Sequence, residues 1–207
     1  MRVQKSSIAN RFRGFLPVVI DLETGGFNPE TDALLEVATI IIKMDDSGEI
    51  APGEKLFFNV HPFDGANIEQ SSLDFTGIDP YNPLRRAVSE NDALAEIFRA
   101  IRTEIRHTDC QRAIMVAHNA SFDLSFINAV SERCSLKRNP FHPFSTLDTV
   151  SLSGLAFGQT VLARACETAG IAFNKKEAHS AIYDCEKTAE IFCHVVNKWR
   201  GLTNFCS

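Results

Sequence analysis

The chain has 207 residues, 44% hydrophobic and 23% charged, which is typical of one globular domain and excludes disordered, collagenous and coiled-coil chains. Its 21 basic and 26 acidic residues give a formal net charge of −5, which argues against a simple basic phosphate-binding module. Nucleic acid stays open as a partner, because divalent cations bound by carboxylates would offset part of that charge.

The cysteines and the N-terminal sequence predict a reduced, cytoplasmic protein. Six cysteines are scattered along the chain without a Cys-x-x-Cys pair, so no zinc site is predicted and the thiols are expected to stay reduced. The only early apolar run, at 15–20, is interrupted by Pro17 and is too short for a signal peptide or a membrane span. We therefore expect no membrane role.

The first half of the chain predicts three consecutive strands. A β-branched run at 18–23 ends at a Thr-Gly-Gly turn, and strand-like runs follow at 34–43 and 55–60. Because the connections between them are short, an antiparallel meander is favoured.

The second half alternates helices and strands. Apolar residues three and four apart predict a helix over 91–106, with a cap at Ser89 or Asn91. A short apolar strand follows at 113–117. A helix after this strand would form a crossover, which implies a parallel partner strand.

Three further helices complete the predicted fold. The first is capped by Ser121 and ends near 133, the second covers 160–169 and stops at Gly170, and the last covers 181–199. One face of that last helix carries a stripe of Cys185, Thr188, Phe192, Val195 and Trp199. Strands followed by alternating helices and strands predict a mixed sheet flanked by helices, in the α/β class.

Acidic residues and one histidine form the candidate catalytic set. Asp21 and Glu23 lie two apart at the end of the first strand, on one face, where they are either solvated or neutralised by a cation. Asp123 falls in the first turn of a helix, where the helix dipole alone would favour a carboxylate. His179 precedes Asp184 by five residues, so we expect His179 in a loop from which it can reach a site that Asp184 helps to build.

The three motifs in combination resemble the DEDDh superfamily of 3′→5′ exonucleases. Asp-x-Glu-Thr-x-Gly begins at 21, His-Asn-x-x-Phe-Asp at 118 and His-x4-Asp at 179. The resemblance spans about 11–199. Further segments make it closer to the ribonuclease T family, which trims tRNA ends, than to polymerase proofreading subunits: 11–15, 75–80, 112–119 and 136–144.

This resemblance implies a ribonuclease-H-like fold, with a mixed five-stranded β-sheet flanked by α-helices. The length of the chain predicts a single exonuclease domain over 1–207, with a basic N-terminal segment at about 1–14 and a short tail at 202–207. The resemblance also implies His179 as general base and two Mg²⁺ ions, with Mn²⁺ as a substitute, held by Asp21, Glu23, Asp123 and Asp184. Magnesium prefers carboxylate oxygens, which agrees with a site that contains no cysteine.

Sixteen phenylalanines, against two Tyr and one Trp, are an excess that core packing explains for most of them. The resemblance implies that four, at motif or loop positions, stack on the last bases of the substrate: Phe27, Phe75, Phe122 and Phe144. Such stacking contributes about 1 to 3 kcal/mol per base and tolerates any sequence. The family pattern has an acidic residue four before the loop phenylalanine, where this chain has Ser71, so the 3′-terminal base preference stays open.

Basic residues are either solvated surface or a phosphate track for the duplex behind the trimmed end. The candidates are Arg11, Arg13, Arg106, Arg112 and Lys137, together with Arg2, Lys5 and Arg138. The resemblance implies a homodimer in which the basic patch of one subunit serves the active site of the other. Asp148 either caps a helix that begins at 149 or supports the metal site.

The expected function is therefore that of a Mg²⁺-dependent 3′→5′ exoribonuclease. It would trim short single-stranded 3′ overhangs of structured RNA, tRNA in particular, and release nucleoside 5′-monophosphates. A DNA-directed proofreading or repair exonuclease is the alternative, and single-stranded DNA a further substrate, because the catalytic set does not distinguish the two nucleic acids. A binding protein that has lost activity would predict damage to the acidic set, and all five positions are intact.

Overall fold

A computed structural model of the chain describes residues 7–203. Its five strands are β1 (Phe15–Thr24), β2 (Leu34–Met44), β3 (Ile50–Asn59), β4 (Arg112–Ala117) and β5 (Phe141–Asp148). They form one sheet in the order β3-β2-β1-β4-β5. Strand β1 pairs antiparallel with β2 and parallel with β4, while β2 and β3 are antiparallel and β4 and β5 parallel. The predicted meander and mixed sheet are confirmed.

Helices flank this sheet. Within residues 7–203 they are α1 (Ile8–Arg11), α2 (Gln70–Thr76), α3 (Glu90–His107), α4 (Ala120–Arg133), α5 (Thr149–Phe157), α6 (Leu162–Ala169) and α7 (Ala181–Thr203). A 3₁₀ helix covers Pro83–Arg85. Helix α7 packs on β1, β2 and β3, and α4 packs on β4 and β5. Fully buried phenylalanines at 98, 126 and 192 tie α3, α4 and α7 into one core with the sheet.

The strands extend beyond the apolar runs that predicted them. Strand β1 begins at Phe15, because it pairs with β4 from the Phe15 to Arg112 position onward. Strand β3 begins at Ile50, five residues before the predicted run at 55–60. Strand ends are set by hydrogen bonding to neighbouring strands, which the hydrophobicity of one segment does not reveal.

The start of α4 differs from the prediction. Ser121 lies inside the helix, and the N-cap residue is Asn119, whose φ of 75° is a left-handed conformation that asparagine tolerates. The capping carboxylate comes from Asp148, which accepts the backbone N–H of Ala120 at 2.9 Å and that of Val150 at 2.8 Å. Asp148 therefore caps both α4 and α5, and the cap of α4 could not be found in the local sequence.

The structure also corrects the predicted surroundings of Phe75. The sequence predicts a polar loop there, but Phe75 lies in α2, which ends at Gly77 with a φ of 70°. No residue of α2 is buried. Hydrophobic periodicity is the signal that predicts helices from sequence, and a short helix that buries no residue does not show it.

The remaining helices agree in place but differ at their ends. The Ser89 hydroxyl accepts the backbone N–H of Asp92 at 3.1 Å, which confirms the first of the two caps predicted for α3. Helix α6 begins at Leu162 rather than at 160. On α7, Val195 is the last buried residue and Trp199 is 54% exposed, so the predicted stripe extends past the buried core.

Some predictions fall on other parts of the chain. Arg2 and Lys5 lie outside the described residues, as does most of the tail predicted at 202–207, because α7 continues through 203. The five described cysteines are free thiols. None of the helices in residues 7–203 combines the length and the apolar character that a membrane span requires.

Candidate active site

The first two acidic residues lie at the end of the central strand. Asp21 and Glu23 alternate on β1, so their side chains share one face of the sheet, as predicted. In the antiparallel register Glu23 lies opposite Glu36 of β2. At these two positions β1 is paired with β2, whereas its pairing with β4 ends at Val19, so the carboxylates leave a strand that one neighbour holds in register.

Asp123 enters from the first turn of α4 and is buried. Its carboxylate accepts the backbone N–H of Leu22, which lies between the two acidic residues of β1. The abrupt turn at Asn119 and the Asp148 cap direct α4 toward that strand. Asp148 thus positions the site through the N-terminus of the helix that carries Asp123.

Asp184 and His179 come from the start of α7 and the loop before it. His179 has a φ of 69° and lies outside the helix, as predicted. Its backbone N–H donates to Oδ2 of Asp184 at 3.0 Å. The imidazole ring lies 4.0 Å from the ring of Phe75. Oδ1 of Asp184 is buried and accepts no hydrogen bond from the described residues.

The carboxylates meet in one cluster. Asp21, Glu23 and Asp184 each offer an oxygen, and these oxygens all lie within 4.8 Å of one another. Asp123 is outside this set of three but close enough that its charge acts on Asp21. Three of the four predicted metal ligands therefore converge directly, and the fourth adjoins them.

Burial and mutual repulsion raise the pKa of each group in the cluster. Burial, followed by the charges of Asp123 and Glu23, raises the pKa of Asp21 well above its ordinary value. The pKa values of Glu23 and Asp123 are each raised to about 8, mainly by burial. Burial also raises the pKa of Asp184, against the effect of the His179 N–H. Such a set is ionised at neutral pH only if a cation compensates it.

The cluster fits divalent metal. Its donors are all carboxylate oxygens, the ligands that Mg²⁺ and Mn²⁺ prefer. Oδ1 of Asp184 is buried and has no hydrogen-bond partner within residues 7–203. A buried carboxylate oxygen without a donor is costly unless a cation contacts it.

Glu36 is a buried carboxylate beside the cluster, and none of the sequence motifs contains it. Its Oε2 accepts the backbone N–H of Ala181, the first residue of α7, at 3.1 Å. Burial raises the pKa of Glu36, and its charge acts in turn on Glu23 and Asp21. A single acidic residue inside an otherwise apolar strand is the signal that could have identified it.

Three of the four candidate phenylalanines are linked to the site. Phe27 is 79% exposed, and its ring lies 6.2 Å from that of Phe122, the neighbour of Asp123. Phe75 contacts His179. Phe144 is equally exposed but contacts His142 at 4.5 Å, and His142 contacts Phe15, six residues before Asp21 on β1. Six residues of strand span about 20 Å, so Phe144 belongs to a second aromatic group.

The candidate basic residues that can be placed lie toward the beginning of β1 and β4. Arg112 pairs with Phe15, and Arg13 lies 5.8 Å from the Phe15 ring centre. Arg13, Arg106, Arg112 and Lys137 are exposed. Arg11 is half-buried and donates to the carbonyls of Gly48 and Val196, which gives it a structural role. Within one chain, Arg13 and Arg112 are thus separated from the carboxylate cluster by most of the length of β1.

The fold and the site correspond to a known family. Residues 18–192 match the model of the RNase_T family, described as exonuclease. Because this match covers most of the chain, the chain belongs to that exonuclease family and is a nuclease hydrolase of the DEDDh type.

Its curated relatives carry a more particular name. A ribonuclease T of Hahella chejuensis is 62% identical over 198 residues, covering 96% of this chain and 91% of that protein. A ribonuclease T of Vibrio vulnificus is 60% identical over 197 residues, with 95% and 91% covered. The predicted resemblance to the ribonuclease T family is confirmed.

Solved structures confirm the fold class. Escherichia coli Exonuclease I in complex with a dT13 oligonucleotide superposes with a TM-score of 0.68 at 19% identity, covering 92% of this chain and 43% of that one. A full-length 3′-exonuclease has a TM-score of 0.68 at 16% identity, with 89% and 61% covered. This chain spans less than half the length of Exonuclease I. The ribonuclease-H-like fold, with a mixed five-stranded sheet and flanking helices, is therefore confirmed.

Proposed function

We propose that this chain, as a single exonuclease domain, is a 3′→5′ exoribonuclease that trims short single-stranded 3′ overhangs of structured RNA. Turnover and maturation of tRNA 3′ ends are the expected setting. The observation that supports this most is the convergence of Asp21, Glu23 and Asp184, with His179 and Phe75 in contact at the edge of the cluster.

The four carboxylates at 21, 23, 123 and 184 would hold two Mg²⁺ ions, or Mn²⁺ in their place. Two such ions, when bound, stabilise charge on the attacking and leaving oxygens of a phosphoryl displacement. His179 accepts the proton of the attacking water, which an imidazole can do near neutral pH. The water oxygen bonds to phosphorus, the bond to the 3′-oxygen of the penultimate nucleotide breaks, and that oxygen takes up a proton from solvent as the nucleoside 5′-monophosphate leaves.

Phe27, Phe122 and Phe75 would bind the terminal bases by stacking, and Phe144 a base farther along the strand. Stacking on aromatic rings tolerates every base, which suits an enzyme that acts on many different 3′ ends. Ser71 is exposed on α2, and its hydroxyl lies 3.4 Å from a carboxylate oxygen of Glu69. The preference for the last base is therefore a property to measure rather than to transfer from the family.

A homodimer is proposed from the placement of the exposed basic residues. Arg13 and Arg112 lie toward the beginning of β1, about 20 Å along the strand from Asp21. Together with Arg106 and Lys137 they would hold the phosphates of the RNA duplex for the active site of a second copy. The free cysteines support a reducing compartment, and we propose the cytoplasm.

A DNA-directed exonuclease is the second candidate function. The oligothymidine bound to Exonuclease I suggests it, and two-metal chemistry does not involve the 2′-hydroxyl. Loss of activity with retained binding, the third hypothesis, is disfavoured because the complete acidic set is present.

The test is a gel time course on tRNA and on a DNA hairpin with a 3′ tail of matched length. Stepwise loss of 3′ nucleotides from tRNA, abolished by EDTA and by Asp184→Asn, is expected. Faster shortening of the DNA would move the second candidate to the front. If neither substrate shortens while both bind, the third hypothesis replaces the other two.

A further inference from the structure

Asp32 is a buried carboxylate outside the catalytic cluster. It is 2% exposed and lies in the loop between β1 and β2. Oδ2 accepts the backbone N–H of Asn28 at 2.9 Å, and Oδ1 accepts from the Thr31 hydroxyl at 2.8 Å and from the Asn67 amide at 2.9 Å. Burial would raise the pKa of Asp32, but hydrogen bonds from Asn28, Asn67, Thr31 and the backbone N–H of Phe27 hold it below its usual value.

These hydrogen bonds fix the backbone on both sides of Phe27. The Phe27 ring is largely exposed, with the Phe122 ring 6.2 Å away, so packing restrains the side chain weakly. Restraint comes instead from the N–H groups of Phe27 and Asn28, both of which donate to Asp32. A Cβ atom at Gly26 would lie 2.1 Å from Oδ2, so the loop passes directly over the carboxylate.

The same carboxylate reaches the segment that leads to Phe75. Asn67 donates its backbone N–H to the carbonyl of Thr31 at 2.7 Å as well as its amide to Asp32. Two residues later, Glu69 donates its N–H to the carbonyl of Gly25 at 2.7 Å and forms the N-cap of α2. Phe75 lies on that helix, against His179. Asp32 thus lies between the loop of Phe27 and the approach to α2.

We propose that Asp32 is a positioning residue that sets the separation of two aromatic arms, Phe27 and the α2 segment carrying Phe75, between which the 3′ end of the substrate enters. Its buried charge orders the loop before substrate arrives, so less conformational entropy is lost on binding. The inference rests on the proposed function, because it assumes that the aromatic arms bind the terminal nucleotides.

The test is a double-mutant cycle on KM and kcat, with a 3′-tailed RNA hairpin and Mg²⁺, using Asp32→Asn, Phe27→Ala and the combination. Phe27→Ala is expected to raise KM about tenfold, the loss of one stacked base. Asp32→Asn is expected to raise KM about three- to fivefold with kcat within twofold, because Arg133 still donates to the Pro29 carbonyl at 3.1 Å. The double variant should raise KM by less than the product of the two single effects, because Asp32→Asn then acts only through the α2 arm.

Asp45→Asn is the matched control. Asp45 is also a loop carboxylate that accepts a hydroxyl, from Ser47 at 2.6 Å, and a backbone N–H, from Glu49 at 2.9 Å, but in the turn between β2 and β3. The KM of the Asp45→Asn variant should stay within twofold of the wild-type value. Asn67→Ala removes the link to α2 while leaving the Phe27 and Asn28 bonds, and it carries the same test if Asp32→Asn unfolds below the assay temperature.

The outcomes separate the inference from the function on which it rests. If Phe27→Ala leaves KM unchanged, aromatic binding of the 3′ end fails, and the proposed role of the arms with it. If Phe27→Ala raises KM but Asp32→Asn and Asn67→Ala do not, or if the effect of Asp32→Asn multiplies in full with that of Phe27→Ala, the positioning role is overturned while the proposed function stands.

Discussion

The two ends of strand β1 differ in charge, in burial and in what holds their side chains. At its end, Asp21 and Glu23 face Asp184 among groups whose pKa values burial has raised. Toward its beginning, Arg13 and Arg112 are exposed beside Phe15. About 20 Å of rigid strand separates Phe15 from Asp21. The basic end and the acidic end of one chain therefore cannot contact the same nucleotide. The difference supports the proposal that catalysis and duplex binding belong to two separate regions, and the following experiments test this division.

The largest expected effect is the pH dependence of the metal-free carboxylate end. The pKa values of Glu23 and Asp123 are about 8 in the folded chain and about 4 in an unfolded one, so the folded state binds more protons between these values. This contribution to stability in EDTA should therefore be fully present below about pH 4 and be lost as the pH rises from there to about 8. Glu23→Gln removes the part of this pH dependence that Glu23 causes. The variant should therefore become more stable relative to the wild type as the pH rises, measured as the difference between their unfolding free energies. A constant difference in urea titrations would contradict the raised pKa.

Addition of Mg²⁺ should compensate the same repulsion. At a hundredfold excess over Kd, binding adds about 2.7 kcal/mol, which for a chain of this size is a rise in Tm of roughly 5 to 10 °C. Asp184→Asn should lose most of this rise, whereas Asp45→Asn should keep it. Thermal melts with Mg²⁺ and with EDTA measure both, and equal shifts in all three proteins would place the metal elsewhere.

The basic end should act on binding and not on chemistry. Arg112→Ala with Lys137→Ala is expected to raise KM roughly tenfold with kcat nearly unchanged, and to lower the salt dependence of binding by about one to two phosphate contacts. If the two ends cooperate between subunits, a mixed dimer of this variant and Asp184→Asn contains one site with both an intact acidic end and an intact basic end. Mixing should therefore restore the wild-type KM. Absence of restoration in a confirmed mixed dimer would assign both ends to one chain.

The smallest effect is expected at Glu36, which is neither a proposed metal ligand nor a proposed phosphate-binding residue. Glu36→Ala removes the acceptor for the Ala181 N–H at the start of α7 and should cost about 0.5 to 2 kcal/mol, as the loss of other helix caps does. Glu36→Gln keeps an acceptor oxygen and should cost less. The unfolding free energies of the two variants are compared in urea with saturating Mg²⁺, which compensates the carboxylate repulsion. Equal losses of stability in Glu36→Ala and Glu36→Gln would argue against a capping role.

The candidate catalytic residues were predictable because each motif is local. Alternation on one strand is enough to place Asp21 and Glu23 together, and the helix start near 181 is enough to place His179 in a loop beside Asp184. The order of strands and helices similarly predicts the mixed sheet. These inferences use the periods of strand and helix, which are properties of short segments.

Other residues were unpredictable because their partners are distant in sequence. Glu36 caps a helix 145 residues away, Asp148 caps α4 across 28 residues, and Asp32 bonds to Asn67 across 35. None of these carboxylates belongs to a motif of the resemblance. The Ser121 hydroxyl is the nearest acceptor that the local sequence offers as a cap. In the folded chain the acceptor is the carboxylate of Asp148, at the end of β5.

The hydrophobic periods and the motif spacing of contiguous residues are sufficient to identify the fold class, the family and the candidate catalytic set. Only the tertiary structure decided that Asp21, Glu23 and Asp184 come within 4.8 Å of one another, that Phe144 lies apart from Phe27, and that Asp32 stands beneath the Phe27 loop. The physical reason is that burial, repulsion and hydrogen bonding depend on distances between side chains, which exist only once the sheet has brought separate segments together.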